Sequence, residues 1–153
     1  IDSDFELRFP DDYINSVSER LTLYTDLVGL KTEAEFESFE QGLVDRFGAL
    51  PKQAIDLMHC TRLKILATSL GLERVVLKNN RLVGYFISDQ ESAFYQSNLF
   101  GSILEFVQIQ QGPYKLKQKE TRNGLRLLLT IEGIKSVREG LEQLRQVNAP
   151  KSP

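Results

Sequence analysis

The stretch Leu43-Val44-Asp45-Arg46-Phe47-Gly48-Ala49-Leu50-Pro51 predicts the end of one helix, a sharp turn and the start of the next helix. Gly48 can adopt positive φ just after a helix, and Pro51 suits a first helical position, where an N–H would be unpaired. We expect four apolar side chains to turn inward and clamp this corner: Leu43, Val44, Phe47 and Leu50. Asp45 and Arg46 lie between them, so helical geometry directs at least one of the two outward. Taken alone, the pair indicates a helix–helix corner with a solvated ion pair, because surface charges usually contribute little energy.

The composition is that of a globular domain. The chain has 153 residues, of which 41% are apolar and 26% charged, and a chain of this length can bury roughly two-thirds of its surface. Cys60 is the only cysteine, so the chain forms neither an internal disulfide nor a cysteine metal cage. No apolar run approaches the roughly 20 residues that span a membrane, and the first residues do not resemble a secretion leader. We therefore expect a cytoplasmic protein.

The start of the chain indicates a fragment of a longer protein, and the charge distribution favours docking to another protein surface. The chain begins at Ile1, and Met58 is its only methionine, so we expect a piece of a longer protein: one domain over residues 1–153, with a frayed tail at 148–153. Residues 1–50 carry twelve acidic and four basic side chains, whereas residues 113–153 carry nine basic and four acidic ones. An acidic first half argues against wrapping a nucleic acid and favours docking to a basic protein surface.

Periodicity predicts a strand and three helices in the first half of the chain. Phe5, Leu7 and Phe9 alternate with charged residues, which is typical of a strand. Pro10-Asp11-Asp12 then starts a helix that stops at Gly29. Its predicted apolar stripe consists of Ile14, Val17, Leu21, Tyr24 and Val28.

The next two helices flank the corner. Thr32 and Glu35 form a capping box, which opens a helix with an apolar face of Phe36, Phe39, Leu43 and Phe47. Pro51 opens the third helix, and Gly71 ends it. The residues expected inside are Ile55, Met58, Leu63, Leu66, Ala67 and Leu70. Short turns between three helices predict a helical unit.

The second half predicts two hairpins interleaved with helices. Lys78-Asn79-Asn80-Arg81 separates two apolar strands, and its asparagines tolerate the positive φ of a tight turn. Ser88 or Asp89 is expected to cap a helical segment that breaks near Asn98 and ends at Gly112-Pro113. Strands at 114–120 and 125–131 flank a second turn at 121–124, where Asn-Gly is a strong turn signal.

A last helix is predicted from about Glu132, with an apolar face of Val137, Leu141, Leu144 and Val147. The predicted fold class is α+β. A helical unit of about three helices is followed by two β-hairpins interleaved with helices, and the sheet is mostly antiparallel.

The residues themselves indicate no enzyme site. His59 is the only histidine and no Gly-x-Ser-x-Gly elbow is present, so we expect a packing or surface role for it and a buried or half-buried position for Cys60. No phosphate-binding loop is present. The acids between Glu33 and Glu40 fall on a helix face, where a solvated surface is expected rather than a metal or acid–base site.

The second hairpin carries a cluster of basic residues: Lys115, Lys117, Lys119, Arg122 and Arg126. The lysines alternate along one strand, with Leu116 on its other face. One interpretation is a small anion or nucleic-acid patch. The other is a solvated sheet face whose lysines discourage edge pairing. Few aromatic residues interleave with these charges, so we expect no stacking platform for single strands.

Several motifs occur in order: Arg20-Leu21-x-x-Tyr24-x-x-Leu27, Thr32-x-x-Glu35, the corner stretch and Leu70-Gly71-Leu72. Together with Pro10-Asp11-Asp12-Tyr13-Ile14, they resemble the C-terminal (TRCF) domain of the bacterial transcription-repair coupling factor, a family called Mfd. The specific motifs cover about residues 5–75. From residue 76 onward the similarity is one of layout.

The resemblance implies a parent protein that is an ATP-driven translocase on double-stranded DNA. This parent displaces stalled RNA polymerase and recruits the UvrA damage-recognition protein, using ATP and Mg in motors outside this fragment. For the fragment itself the resemblance implies no catalytic, cofactor-binding or metal site. In the family, this domain is a regulatory clamp that docks on an N-terminal module resembling UvrB and hides the surface that UvrA would bind.

The resemblance also assigns contact residues. It implies that Asp45 and Arg46 contact the UvrB-like module, and that Gly42 stands where some family members carry an acid. One contact at that position is therefore expected to be lost or moved. These implications favour a reversible charged contact over a solvated ion pair, because charge pairs supply specificity and separate at modest cost. The alternative is a nucleic-acid-binding accessory domain that uses the basic second hairpin.

Overall fold

In the computed structural model, the described residues are 1–110 and 112–148, and they form five α-helices, a short 3₁₀ helix and a five-stranded sheet. The elements are β1 (Asp2–Ser3), α1 (Val17–Val28), α2 (Glu33–Phe47), α3 (Lys52–Ser69), β2 (Leu72–Lys78), β3 (Arg81–Phe86), the 3₁₀ helix (Ala93–Gln96), α4 (Asn98–Gln110), β4 (Tyr114–Thr121), β5 (Gly124–Glu132) and α5 (Val137–Asn148). This composition confirms the α+β class.

Contacts within the chain define two compact units. Residues 6–62 form a helical unit, and residues 1–5 together with the chain from Leu63 onward form a sheet unit. The single domain over residues 1–153 stays a prediction. α5 includes Asn148, and the rest of the predicted tail, residues 149–153, lies outside the described residues.

The strand predicted at residues 5–9 is wrong. β1 covers only Asp2–Ser3 and pairs with β2 in parallel. Phe9 is buried in the core of the helical unit, and its N–H donates to the Tyr24 hydroxyl at 2.8 Å. The alternation at 5–9 therefore reflects apolar anchors on an irregular segment rather than a strand.

α1 starts later than predicted and turns a different face inward. Pro10-Asp11-Asp12 forms a turn, and the helix begins after Ser16, whose hydroxyl accepts the Glu19 N–H at 3.2 Å. The buried residues of α1 are Leu23 and Leu27, whereas three residues of the predicted stripe are 61%, 62% and 80% exposed: Val17, Leu21 and Val28. Two apolar stripes of α1 fit a period of 3.6 residues, the predicted one and one that contains Leu23 and Leu27. The second is the one buried, because it packs in the core that includes Phe9.

α2 and α3 agree with the sequence in most details. The Thr32 hydroxyl accepts the Glu35 N–H at 3.2 Å, which confirms Thr32 as the cap of α2, while the Glu35 carboxylate lies 3.2 Å from the Thr32 hydroxyl; Phe36 is buried. The N–H groups of the third and fourth residues after the corner proline donate to Pro51 O at 3.0 Å, so Pro51 opens α3. Within α3, Ile55 was predicted inside but is 39% exposed, because its neighbour Ala54 takes the core position. The other buried residues predicted for this helix are Met58, Leu63, Ala67 and Leu70, with Leu66 half-buried.

The sheet has the order β1-β2-β3-β5-β4 and is antiparallel except for the β1–β2 pair. Both predicted hairpins are confirmed. Asn79 and Asn80 have φ of 55° and 59° in the first turn. In the second, Thr121 pairs with Gly124, which has φ of 103°. The pairing of β3 with β5 joins the two hairpins into one sheet.

The helices of the sheet unit differ from the prediction at their starts. Ser92, not Ser88 or Asp89, caps the 3₁₀ helix, and the break before Asn98 is confirmed. α5 begins at Val137 rather than near Glu132, because β5 continues to Glu132 and Gly133 then takes positive φ. All four residues predicted for its apolar face are buried: Val137, Leu141, Leu144 and Val147.

Candidate functional site

The corner between α2 and α3 is fixed by backbone hydrogen bonds. Gly48 has φ of 91°, as the sequence predicts, and its N–H donates to Val44 O at 2.9 Å. The Tyr13 hydroxyl donates to Gly48 O at 2.7 Å and lies 3.3 Å from Leu43 O. Burial raises the pKa of Tyr13, so its hydroxyl remains protonated and able to donate at neutral pH. These hydrogen bonds pair the Val44 carbonyl in the last turn of α2 and the carbonyl of the turn residue Gly48.

Apolar side chains on the inner side of the corner pack against the core of the helical unit. Leu43 is buried, and the half-buried Phe47 and Leu50 pack against the core of the helical unit. The rings of Phe47 and Tyr13 have centroids 5.7 Å apart. Val44 was predicted inside but is 39% exposed, because Leu43 and Phe47 occupy the inward face at a spacing of four residues.

Asp45 and Arg46 are both exposed, and each has its own partner. Arg46 Nη2 lies 2.9 Å from Glu19 Oε1 on α1, and the Arg46 guanidinium lies 4.7 Å from the centre of the Phe47 ring. Asp45 Oδ1 accepts a hydrogen bond from Gln41 Nε2 at 2.8 Å. Within the described part of the chain, no lysine or arginine pairs with Asp45. The corner therefore presents the Arg46 cation, which is already paired with Glu19, and the Asp45 carboxylate, which is available to bind a cation.

A shallow depression of about 160 Å³ lies between α1 and α2, next to these charges. It is lined by Ser18, Glu19, Thr22, Leu23, Asp26 and Arg46. The exposed apolar residues of α1, Val17 and Leu21, lie on the neighbouring side of the same helix. The surface around the corner thus combines polar groups with exposed apolar side chains.

Gly42, Asp45 and Arg46 share one face of α2, because residues three and four positions apart are neighbours on a helix. Apart from its chain neighbours and the backbone of α2 itself, no heavy atom lies within 4 Å of the place where a Cβ on Gly42 would stand. There is room for a side chain at this position, and Gly42 supplies none. Sequence reasoning missed Glu19 and Tyr13 as supports of the corner, although Ser16-x-x-Glu19 is a readable capping pattern.

The two glycines near the corner predict opposite responses to alanine. Gly48 has φ of 91° and ψ of −169°, a region essentially restricted to glycine, so Gly48→Ala is expected to lower the free energy of unfolding by about 2 kcal/mol. Gly42 lies within a helix in open space, so Gly42→Ala is expected to raise it by about 0.5–1 kcal/mol. Urea unfolding of both variants checks the signs, and a loss of stability in Gly42→Ala would show that this face of α2 is more crowded than described.

The second hairpin places its basic residues in two settings. Three exposed lysines follow one face of β4: Lys115, Lys117 and Lys119. Leu116 is half-buried on the other face, as predicted, and Arg122 is exposed in the turn. Arg126 is more enclosed, since its Nη2 donates to Phe86 O at 2.7 Å and lies 3.6 Å from Glu73.

The single histidine and the single cysteine of the chain are neighbours on α3. His59 is half-buried in α3, and Cys60 is buried, as predicted. Over residues 1–110 and 112–148, no three side chains of the His, Cys, Asp and Glu types come together in a way that would hold a metal ion. No helix among the same residues combines the length and the apolar character that crossing a bilayer requires.

The three helices of the helical unit and the five-stranded sheet give the chain an α+β fold. The family model of the TRCF domain matches residues 3–97, and the chain therefore belongs to the TRCF domain family. Its relatives are transcription-repair-coupling factors. The protein of that name from Haemophilus influenzae is 28% identical over 144 residues, which are 88% of this chain and 12% of the relative. That from Escherichia coli K12 is 39% identical over 77 residues, 48% of this chain and 7% of the relative.

The fold agrees with the same family. A crystal structure of the C-terminal domain of a transcription-repair coupling factor matches with a TM-score of 0.67, covering 95% of this chain and 93% of the other, at 18% sequence identity. The chain spans about a tenth of the length of the curated relatives it matches. It thus has the fold of one domain of a much longer kind of protein.

Proposed function

We propose that this chain is the regulatory, autoinhibitory domain of a transcription-repair coupling factor. In this proposal it docks through Asp45 and Arg46 on the UvrB-like N-terminal module of the same polypeptide and masks the surface that recruits UvrA. The parent is an ATP-dependent translocase on double-stranded DNA, with ATP and Mg bound in its motor domains, and it displaces stalled RNA polymerase in the cytoplasm. The domain itself has a binding role and no catalytic one.

The observation that carries this proposal is the exposure of both charges on a corner whose backbone is held in place. Asp45 has no cationic partner among the described residues, so a basic residue of the module would meet an available carboxylate. The Tyr13 and Gly48 hydrogen bonds fix the corner, so little conformational entropy is lost when it docks. The exposed Val17 and Leu21 on α1 would add apolar area to a contact of this kind.

The surrounding charge supports a basic partner surface. Residues 6–62 carry eleven acidic and six basic side chains. Two carboxylates near the corner are exposed, Asp45 itself and Asp26 at the depression. An acidic surface of this kind steers association with a basic one and releases it when a competing contact forms.

The test uses the full-length protein that contains this domain. The variant combines Asp45→Arg with Arg46→Glu, and UvrA affinity is measured without RNA polymerase. Autoinhibition divides the affinity by the fraction of open protein, so undocking is expected to tighten UvrA binding at least tenfold.

The matched control combines Lys31→Glu with Glu37→Arg, two exposed residues toward the other end of α2 that form no ion pair among the described residues. It is expected to leave UvrA binding unchanged. If charge reversal at the corner also left UvrA affinity unchanged, the autoinhibitory role would be refuted.

A further inference from the structure

The register of the sheet places more basic residues on one face than the hairpin alone suggests. Residues directly opposite one another on neighbouring strands point to the same side. Lys119 lies opposite Arg126, and Arg81 lies opposite Lys78. Following these pairs across β4, β5, β3 and β2 gives one face, here termed the basic face, with seven cations: Arg74, Lys78, Arg81, Lys115, Lys117, Lys119 and Arg126. The paired residues add two acids to it, Asp2 and Glu132, and Glu73, at the irregularity in β2, lies 3.6 Å from Arg126.

The helices of the sheet unit pack on the opposite face. Leu77 and Phe86 alternate with residues of the basic face, so they point to the other side. A Cβ placed on Gly140 of α5 would lie 3.2 Å from Leu77, and the ring of Phe100 on α4 lies 5.7 Å from that of Phe86. The basic face is therefore the side of the sheet that α4 and α5 leave uncovered.

Most of the positive charge on this face is uncompensated. The three arginines have acidic neighbours: Arg74 lies 2.7 Å from Asp2, and the other two have weaker pairs at 3.6 and 3.9 Å. In contrast, four exposed lysines form no ion pair with any described carboxylate: Lys78, Lys115, Lys117 and Lys119. Like charges held together on a folded sheet favour a polyanionic partner, because lysines that neutralise the phosphates of a nucleic acid release the counterions condensed on it.

The chemistry of the face selects the kind of partner. Lysine is depleted at protein–protein interfaces, which depend on aromatic and arginine anchors in apolar pockets, so a lysine array favours a polyanion. Tyr85 is the aromatic residue of this face, and the guanidiniums of Arg74 and Arg126 lie 5.3 and 5.5 Å from its ring centre. Its ring is thereby engaged and offers no stacking platform for unpaired bases.

We propose that the basic face binds the phosphate backbone of double-stranded DNA without reading its sequence. The strand spacing makes the face about 14 Å wide from β2 to β4, and Lys115 and Lys119 are about 14 Å apart along β4. A duplex carries one charge per roughly 1.7 Å of its axis, so about eight phosphates lie along this length, enough for each of the four unpaired lysines to engage one. The proposal involves residues outside the corner and is independent of the docking role.

The experiment measures binding of the 153-residue chain to a fluorescent 25-base-pair duplex by anisotropy, between about 25 and 200 mM salt. Four phosphate contacts predict a slope of about −3.6 for log K against log salt, and a dissociation constant weaker than about 1 μM at physiological salt. The variant that changes Lys115, Lys117 and Lys119 to glutamine is expected to weaken binding at least tenfold at low salt. It should also reduce the slope to about −1.

A matched control removes three positive charges elsewhere in the sheet unit. Lys64→Gln, Lys135→Gln and Arg145→Gln alter exposed residues on α3, just before α5 and on α5, in that order. They should leave both affinity and slope within twofold of the wild type. Melting temperatures of both triple variants, expected to equal that of the wild type, show that the fold is intact. Three outcomes overturn the proposal: no duplex binding at 25 mM salt, equal loss of binding in the control, or tighter binding to the single strand than to the duplex.

Discussion

Gly71→Ala is expected to lower the free energy of unfolding by about 3–4 kcal/mol, the largest effect of any single substitution considered for this domain. Gly71 ends α3 with φ of 81°, a conformation that costs a residue with a side chain about 1–2 kcal/mol. A Cβ at this position would also lie 2.4 Å from Cζ of Phe94. The centroid of the Phe94 ring lies 5.2 Å from that of Phe100 and 5.9 Å from that of Phe86. Moving the Phe94 ring therefore disturbs the packing of all three rings, at a further cost of about 1–3 kcal/mol.

The control for this prediction is Gly133→Ala. Gly133 has a similar φ of 76°, but no heavy atom lies within 4 Å of its Cβ position. Gly133→Ala therefore measures the cost of the positive φ alone, and it is expected to lower the free energy of unfolding by about 1–2 kcal/mol. Thermal and urea unfolding of both variants separate the two contributions. Equal losses in Gly71→Ala and Gly133→Ala would show that the Phe94 ring adapts without cost.

Arg62→Met is expected to lower the stability of the helical unit by about 2–3 kcal/mol. Arg62 is nearly buried, and its Nε and Nη2 donate to the two carboxylate oxygens of Glu33 at 3.0 and 2.9 Å. Its Nη2 also donates to Glu40 at 2.5 Å, and its guanidinium lies 4.6 Å from the centre of the Phe36 ring. Burial acts to lower the pKa of Arg62, but the hydrogen bonds from Glu33 and Glu40 outweigh it and raise the pKa.

The cost arises because methionine removes the Arg62 charge that both Glu33 and Glu40 face, and breaking a largely buried ion pair leaves the Glu40 charge uncompensated. Since Glu33 is more than half exposed, the expected loss is below that of a fully buried pair. The melting temperature should fall by roughly 5–10 °C. Adding Glu40→Gln to Arg62→Met should restore part of the loss.

Arg46→Met is the matched control, since it breaks an ion pair of the same 2.9 Å length in which both side chains are about half exposed. Exposed pairs contribute about 1 kcal/mol or less. A loss in Arg62→Met no greater than that in Arg46→Met would contradict the assigned role of Arg62.

The sequence was most informative where local chemistry decides the structure. Gly48, the Thr32 cap and the Asn79-Asn80 turn are each fixed by interactions within a few residues, and all have the predicted geometry. The face of α1 was predicted wrongly because two stripes fit its periodicity, and only tertiary packing on Phe9 chooses between them. Contacts distant in sequence had no local signal, such as the Tyr13 hydrogen bond to Gly48 across 35 positions.

The basic face was likewise predictable only in part from the sequence. The alternation of Lys115, Lys117 and Lys119 is visible in the sequence, but the contribution of Arg74, Lys78 and Arg81 depends on β3 pairing with β5. That pairing joins hairpins separated by a helix, and no pattern within either hairpin specifies it. Half of the face was therefore readable from the sequence, and the other half required the sheet register.

The docking of the corner is tested most directly by the accessibility of Ala49, an exposed residue next to Gly48. In an Ala49→Cys variant, the rate of maleimide labelling at this cysteine is followed by mass spectrometry, in the 153-residue chain and in the resting full-length protein. The proposed docking predicts labelling at least tenfold slower in the full-length protein, and recovery of the fast rate when Asp45→Arg and Arg46→Glu are added. Equal labelling rates in the 153-residue chain and the resting full-length protein would contradict it.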